Sequence, residues 1–163
     1  MVRNIQIQDA QDLEYICKMS LGHETTAALL EQRIKELSNN SNYSLLVYED
    51  DATRQVLGFL QAEQYNLLYG GNGWNIIALA VSPEVQQQGI GKQLLTAMED
   101  RASKEGYSFI RLNCNITRTN AHIFYQHKGY SCDKVQKRFI KADRKSTRLN
   151  SSHPLSSRMP SSA

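Results

Sequence analysis

Cysteine is scarce: Cys17, Cys114 and Cys132 are three in 163 residues, an odd number and widely spaced. That argues against a disulfide framework and against a Cys-x-x-Cys metal site, and it fits a reducing cytoplasm. No apolar run approaches the roughly 18–20 residues that cross a bilayer, so no membrane partner is expected. The opening residues MVRNIQ carry no apolar core of a secretory signal. An excess of one charge is also missing from most of the chain. Arg144, Lys145, Arg148 and Arg158 against Asp143 give residues 143–163 a net +3, which leaves 15 basic and 15 acidic side chains in residues 1–142. A neutral body gives no electrostatic case for nucleic acid. With 40% hydrophobic and 21% charged residues, the chain reads as one ordinary globular domain over residues 1–142.

Residues 143–163 read differently. They hold seven Ser and two Pro and show no apolar periodicity, the composition of a disordered terminus. The stretch DRKSTRLNSSH and the later SRMPSSA resemble one reading frame of a short-read sequencing adapter. On that resemblance the tail is an artefact, and the natural C-terminus after about Ala142 is missing.

Hydrophobic periodicity predicts the elements. Val2–Ile7 reads as a short strand. Asp9 can cap a helix to about Met19, and Thr25 or Thr26 a second one carrying Leu30, Ile34 and Leu37. Tyr43–Tyr48 and Gln55–Tyr65 read as a hairpin. After Gly70-Gly71-Asn72-Gly73, Trp74–Val81 is the most apolar strand and is expected at the centre of the sheet. A helix follows to about Glu105, with Leu94, Leu95, Met98 and Ala102 on one face and Gly106 as its stop. Phe109–Asn113 reads as a strand, Ala121–Lys128 as a helix ended by Gly129, and Tyr130–Ile140 as one or two last strands. The order is that of a mixed α/β domain.

The chemistry concentrates where a strand passes through a Gly-containing turn into a helix, Ile76 to Met98. Unpaired N–H groups and a partial positive charge at a helix N-terminus, approached closely through glycines, suit an anion such as phosphate. Gly89 and Gly91 can equally serve only to shape a tight turn. The chain has neither G-x-x-x-x-G-K-[ST] nor a dinucleotide-binding G-x-G-x-x-G.

Gln86-x-x-Gly89-x-Gly91, placed after the strand end Val81-Ser82-Pro83, resembles the acetyl-CoA signature of the GNAT N-acetyltransferases. About 30 residues on, Ala121-x-x-x-Tyr125-x-x-x-Gly129-Tyr130 resembles that family's last motif. Strand and helix order match to about residue 141. The resemblance implies a mixed, mostly antiparallel sheet with central splayed parallel strands and flanking helices. It implies acetyl-CoA as acetyl donor, in a cleft where Trp74–Val81 parts from Phe109–Asn113. The turn Gln86, Gln87, Gln88, Gly89, Ile90, Gly91 and Lys92 would take the pyrophosphate, Gln86 bonding it or steadying the turn. The pantetheine arm would pair with main chain at Leu79, Ala80 and Val81, and the Leu79 N–H would hold the acetyl carbonyl. Tyr125 stands where the family commonly has its general acid; a phenol of pKa ~10 can protonate the leaving thiolate or hold it by a hydrogen bond. Asn113 and Arg118 complete the expected cofactor contacts.

Two positions depart from the family pattern. Arg118 replaces an Asn, and neighbouring Asn120 can cap the helix. Asn75 stands where some members carry a Glu as general base, and an amide takes no proton. Deprotonating an alkylamine of pKa ~10.4 at pH 7 costs roughly 4–5 kcal/mol, which a water chain to His23, Glu24 or Glu63 can serve. The acceptor pocket would lie between Leu21–Thr25 and Gln61–Tyr69, with His23, Glu24, Tyr65, Tyr69 and Asn75 as candidates. His122 and His127 are not spaced as a helical metal pair, and no metal is expected. The expected partner is a small-molecule amine, an aminoglycoside antibiotic among the candidates, and a second copy of the chain is a candidate partner. The rival readings are acetylation of a protein or peptide and an acetyl-CoA sensor without catalysis.

Overall fold

Among the described residues, alternating apolar residues build five strands, and stripes at helical spacing build four helices. A computed structural model describes residues 1–143. They belong to two compact units, Met1–Leu112 and a second beginning at Asn113. In the first, β1 (Val2–Asn4), β2 (Tyr43–Glu49), β3 (Val56–Asn66), β4 (Asn72–Val81) and β5 (Phe109–Leu112) form one sheet in the order β1-β2-β3-β4-β5. Every pairing is antiparallel except that of β4 with β5, which is parallel. The sheet is thus mixed and mostly antiparallel. β3, not the more apolar β4, is its middle strand. The apolar character of β4 comes from burial on both faces rather than from position.

Strand side chains alternate between the two faces. Val47, Phe59 and Ala80 share one register row. They pack in a cluster with Ala10, Leu13 and Ile16 of α1 (Ala10–Leu21) and Ile34 of α2 (Ala27–Ser38). Leu60 and Trp74 point to the other face, where α3 (Ile90–Lys104) buries Ile90, Leu94, Leu95, Met98 and Ala102. The Arg101 guanidinium of α3 lies 5.2 Å over the Trp74 ring. Thr26 caps α2 by accepting from the Leu29 N–H at 3.2 Å.

Four local expectations change. Asp9 does not cap α1 through its side chain. Its carboxylate instead takes both Arg3 Nη atoms at 2.9 Å and the Gln6 N–H at 2.7 Å, and Arg3 reaches Glu49 at 3.1 Å. β1 accordingly ends at Asn4, before a 3-10 turn at Ile7–Asp9. In the second unit, α4 (Thr119–His127) has Arg118 at its N-cap and takes Asn120 into its first turn. No strand forms over Tyr130–Ile140 among the described residues, and residues 131–141 are exposed throughout. Lys137 forms a β-bridge there, but Asp133, Lys134, Lys137 and Arg138 dilute the apolar pattern, and a strand needs a longer ladder than one bridge. Apart from Asp143, the segment 143–163 lies outside the described residues. Among those described, no helix is long and apolar enough to cross a membrane.

Candidate active site

The site begins with a change of partner along β4. β5 pairs with β4 from Gly73↔Phe109 to Ile76↔Leu112 and then ends. β4 runs on from Ile77 to Val81 with no β5 residue beside it. At the same point the register with β3 slips: Ala62 faces Ile76 while Gln61 faces Ala78, so Ile77 is one residue extra. Such a bulge bends and re-aims its strand.

Hydrogen-bond phase then decides which main-chain groups face the open side. In an antiparallel ladder alternate residues turn their N–H and C=O to the partner. The Ser82 N–H donates to the Leu57 carbonyl at 2.8 Å. Counting back by twos, Ala80 and Ala78 turn to β3, while Leu79 and Val81 turn away from it. Two further bonds agree: Ser20 Oγ donates to the Val81 carbonyl at 2.6 Å and Gln86 Nε2 to the same atom at 3.3 Å. Leu79 therefore directs its N–H to the open side. Ala80 does not fit the expected pairing with a pantetheine arm, because its main chain serves β3 and its side chain lies in the α1–α2 core.

Past Val81 the chain makes a 3-10 turn at Pro83–Val85. Glu84 fastens it, accepting from Ser82 Oγ at 2.5 Å and from the Tyr15 hydroxyl of α1. These bonds, Ser82 first, hold the Glu84 carboxyl below its ordinary pKa. Neither Ser20 nor Tyr15 carries a sequence signal for this role; only the fold brings α1 to the turn. Gln87 then adopts φ +65° and Gly89, the N-cap of α3, φ +83°. Left-handed backbone is costly for most L-residues, and glycine adopts it freely. A Cβ on Gly89 would meet nothing within 4 Å. The first intrahelical bond runs from the Gln93 N–H to the Gly89 carbonyl at 3.0 Å. The N–H groups of Ile90, Gly91 and Lys92 precede it and have no intrahelical acceptor. Ile90 itself is buried under the sheet, whereas Gln86, Gln87, Gln88, Gly89 and Lys92 are exposed. A ring of main-chain donors beside open space fits a pyrophosphate.

On the α1–α2 face of the sheet a polar row crosses three strands. Glu63, Asn75 and Arg111 are register partners. Arg111 Nη1 donates to Asn75 Oδ1 at 2.7 Å, and Asn75 Nδ2 donates to Glu63 Oε2 at 2.8 Å. The Arg111 guanidinium lies 4.7 Å over the Tyr65 ring, which meets Phe109 edge to face at 6.3 Å. Of the expected acceptor residues, the structure thus gathers Asn75 and Tyr65 and adds Arg111, which sequence reasoning missed. Tyr69 stands apart, 88% exposed on the β3–β4 turn. His23 and Glu24 are exposed in the α1–α2 connection. A surface groove of about 410 Å³ lies elsewhere, lined by Ile5, Gln8, Ile34 and Lys35 among others, and holds no carboxylate. Among the described residues, no three His, Cys, Asp or Glu side chains cluster as metal ligands would.

The second unit holds the remaining expected residues. Tyr125 lies on α4, its ring edge to face with Phe124 at 5.1 Å and Tyr130 at 5.9 Å. Gly129, at φ +90°, turns the chain so that the Tyr130 N–H returns to the Tyr125 carbonyl at 3.0 Å. That closure gives the Tyr125…Gly129-Tyr130 spacing its physical reason. Burial, then the charge of Cys114, push the Tyr125 phenol up to about 12, against the pull of Arg118. Arg118 starts the helix, and His122 Nε2 meets the Asn115 carbonyl at 2.9 Å. Asn113 opens this unit immediately after β5.

Comparison with known proteins is consistent with this geometry. An aminoalkylphosphonate N-acetyltransferase of Salmonella typhimurium is 35% identical over 77 residues, 47% of this chain. The chain spans half the length of that relative. The uncharacterized N-acetyltransferase YhdJ of Bacillus subtilis is 32% identical over 98 residues, covering 60% of this chain and 67% of its own. The crystal structure of the aminoglycoside 6'-N-acetyltransferase AAC(6')-Ih from Acinetobacter baumannii superposes with a TM-score of 0.73 at 16% identity, over 88% of this chain and 98% of that one. At such identity the likeness is one of fold. The model of the acetyltransferase (GNAT) family matches residues 6–130. The chain belongs to the GNAT acetyltransferase family.

Proposed function

We propose that this protein transfers the acetyl group of acetyl-CoA to the primary amine of a small molecule, with residues 1–142 acting as one domain in a reducing cytoplasm. The observation that carries the reading is continuous along the chain: an outward Leu79 N–H, then the donor turn at the start of α3. Bound acetyl-CoA supplies an activated thioester. The N–H groups of residues 86–92 hold its pyrophosphate, with Lys92 adding charge. Gln86, already bonded to the Val81 carbonyl, steadies the turn. Leu79 and the Val81 N–H pair with the pantetheine arm, and the Leu79 N–H stabilises negative charge that develops on the acetyl oxygen.

Tyr125 is the proposed donor to the departing sulfur. A phenol at about 12 stays protonated at neutral pH. Full proton transfer to a thiolate whose conjugate thiol has pKa ~8.5 runs uphill by roughly 5 kcal/mol. A strong hydrogen bond is therefore the better description of its role. Arg118 and Asn113 stay proposed cofactor contacts, and Tyr65, Tyr69, His23 and Glu24 proposed acceptor contacts.

Acetyl-CoA consumption measured across an amine panel tests the reading. The panel contains 2-aminoethylphosphonate, an aminoglycoside, simple alkylamines and short peptides. Turnover with a small amine at least tenfold above every peptide is expected. Preference for peptides would move the acceptor to protein. Acetyl-CoA binding without consumption would leave a sensor.

A further inference from the structure

The amine that attacks an acyl carbon must lose a proton, and Asn75 cannot take it. The row Glu63–Asn75–Arg111 supplies a carboxylate next to that amide, two residues before the bulge at Ile77. A guanidinium only donates hydrogen bonds and a carboxylate only accepts them. Arg111 therefore fixes Oδ1 of Asn75 towards itself, and the amide turns its Nδ2 to Glu63. One oxygen of Glu63, Oε2, is held in this way. The other, Oε1, accepts from no donor among the described residues. Glu63 is half-buried, and its charge is screened less there than in bulk water. A carboxylate at both positions 63 and 75 would place like charges directly opposite, which destabilises a sheet. Asn75 is thus the residue that aims the one carboxylate on β3.

We propose that Glu63 receives the acceptor amine, binding it through Oε1 and taking its proton as the acetyl group transfers. Asn75 and Arg111 are positioning residues for that carboxylate. The step balances: the nitrogen lone pair forms the N–C bond, and the C–S electron pair leaves on sulfur. The proton shed by nitrogen passes to Glu63 Oε1 and then to water. The assignment rests on the acetyltransferase reading above and selects basic amines over neutral hydroxyl acceptors.

The test compares the parent with Glu63→Gln, which keeps an oxygen for Asn75 Nδ2 and loses the base. The probe is the faster of 2-aminoethylphosphonate and kanamycin with the parent protein. The expected result is a loss in kcat of about 10²-fold or more, the usual size of general base catalysis. The acetyl-CoA Kd by calorimetry should stay within threefold, and Glu63→Asp should recover at least tenfold over Glu63→Gln. Asn75→Ala, which keeps the base but frees it, should raise KM and lower kcat less than Glu63→Gln does. Parent-like kcat in Glu63→Gln overturns the assignment and leaves the acetyltransferase reading standing. Should Glu63→Gln fail to fold, parent-like kcat and KM in Asn75→Ala would overturn it equally. A parent that consumes no acetyl-CoA with any amine removes the functional reading first and this assignment with it.

Discussion

Replacing Gly89 by Ala separates what the turn before α3 needs for folding from what it needs for its ligand. Gly89 has φ +83°, and a Cβ there meets nothing within 4 Å. Steric clash therefore contributes nothing, and the folding cost is that of placing an L-residue in the left-handed region, about 1–2 kcal/mol. At 2–4 °C per kcal/mol, the thermal midpoint should fall by roughly 2–8 °C. The cost in binding has another origin. A methyl group would project into open space beside the N–H groups that we assign to the pyrophosphate. Each hydrogen bond to a charged group is worth about 1.5–3 kcal/mol, so losing one weakens acetyl-CoA by roughly 10- to 150-fold. Gly89→Asn divides the two effects. Asn tolerates left-handed backbone, so stability should largely return, while its longer side chain still occupies the space and binding stays weak. Gln87→Gly is the internal control: it relieves the left-handed strain at φ +65° and should leave affinity unchanged. Urea denaturation of the ligand-free protein and calorimetry with acetyl-CoA report the two quantities separately. Parent-like affinity in both Gly89 variants would refute a phosphate site at the start of α3.

Three further outcomes follow from the geometry. Tyr125→Phe should lower kcat by about 10- to 150-fold, the worth of one hydrogen bond to a charged sulfur, with acetyl-CoA affinity nearly unchanged; unchanged kcat would remove the hydroxyl from the mechanism. Because the folded phenol sits at about 12 against 10.0 when free, its contribution to stability should be intact below pH 10 and disappear as pH rises through 12. Ultraviolet titration of parent minus Tyr125→Phe should show one phenol ionising late, and one ionising near 10 would contradict its burial. Leu79→Pro removes an N–H that serves no β3 bond, so the fold should survive as edge positions of strands do; kcat should fall 10²- to 10³-fold, and retained kcat would discard Leu79 as oxyanion donor. Arg3→Met leaves Asp9 and Glu49, each 5% exposed, without their common cation, and should cost about 3–5 kcal/mol in urea. A loss below about 1 kcal/mol would show that the pair of carboxylates is held otherwise.

What the sequence disclosed was local. Apolar spacing over Ile90–Lys104 gave the buried face of α3, because a helix needs nothing beyond its own residues to define its period. The strand, turn and helix from Ile76 to Met98 were legible for the same reason, since consecutive residues build them. Asp9 misled because its N-cap position is a local signal, whereas its bonds to Arg3 and Gln6 depend on where β1 runs. Tyr130–Ile140 misled in the opposite way. A strand exists only with a partner, and residue types alone do not report one. The Glu63–Asn75–Arg111 row lies on three strands spread over nearly fifty positions, so no spacing in the sequence could mark it. Asn75 was visible only as an amide standing where a base was expected, and its meaning came from its neighbours in register.

The acceptor row and the cofactor edge have one origin in strand pairing. Up to Ile76, β4 is paired on both sides, so its polar side chains have fixed neighbours and a carboxylate can be aimed through an amide. From Ile77 onward β5 is gone, and the main chain itself becomes the functional group. The bulge at Ile77 keeps these two regimes adjacent while shifting the phase by one residue, which puts Leu79 rather than Ala78 outward. An unbroken alternation over the same residues would carry the phase of Asn75 through Ile77 to Leu79 and turn the Leu79 N–H into the β3 ladder. Deleting Ile77 joins Ile76 to Ala78 and leaves the pairings of Asn75 with Glu63 and of Ala78 with Gln61 as they are, so the polar row and the outward Leu79 N–H both stay and only the bend is lost; acetyl transfer should survive this deletion. A deletion variant that folds, binds acetyl-CoA and yet loses turnover would show that the bend at Ile77, and not the direction of the Leu79 N–H, sets the reaction.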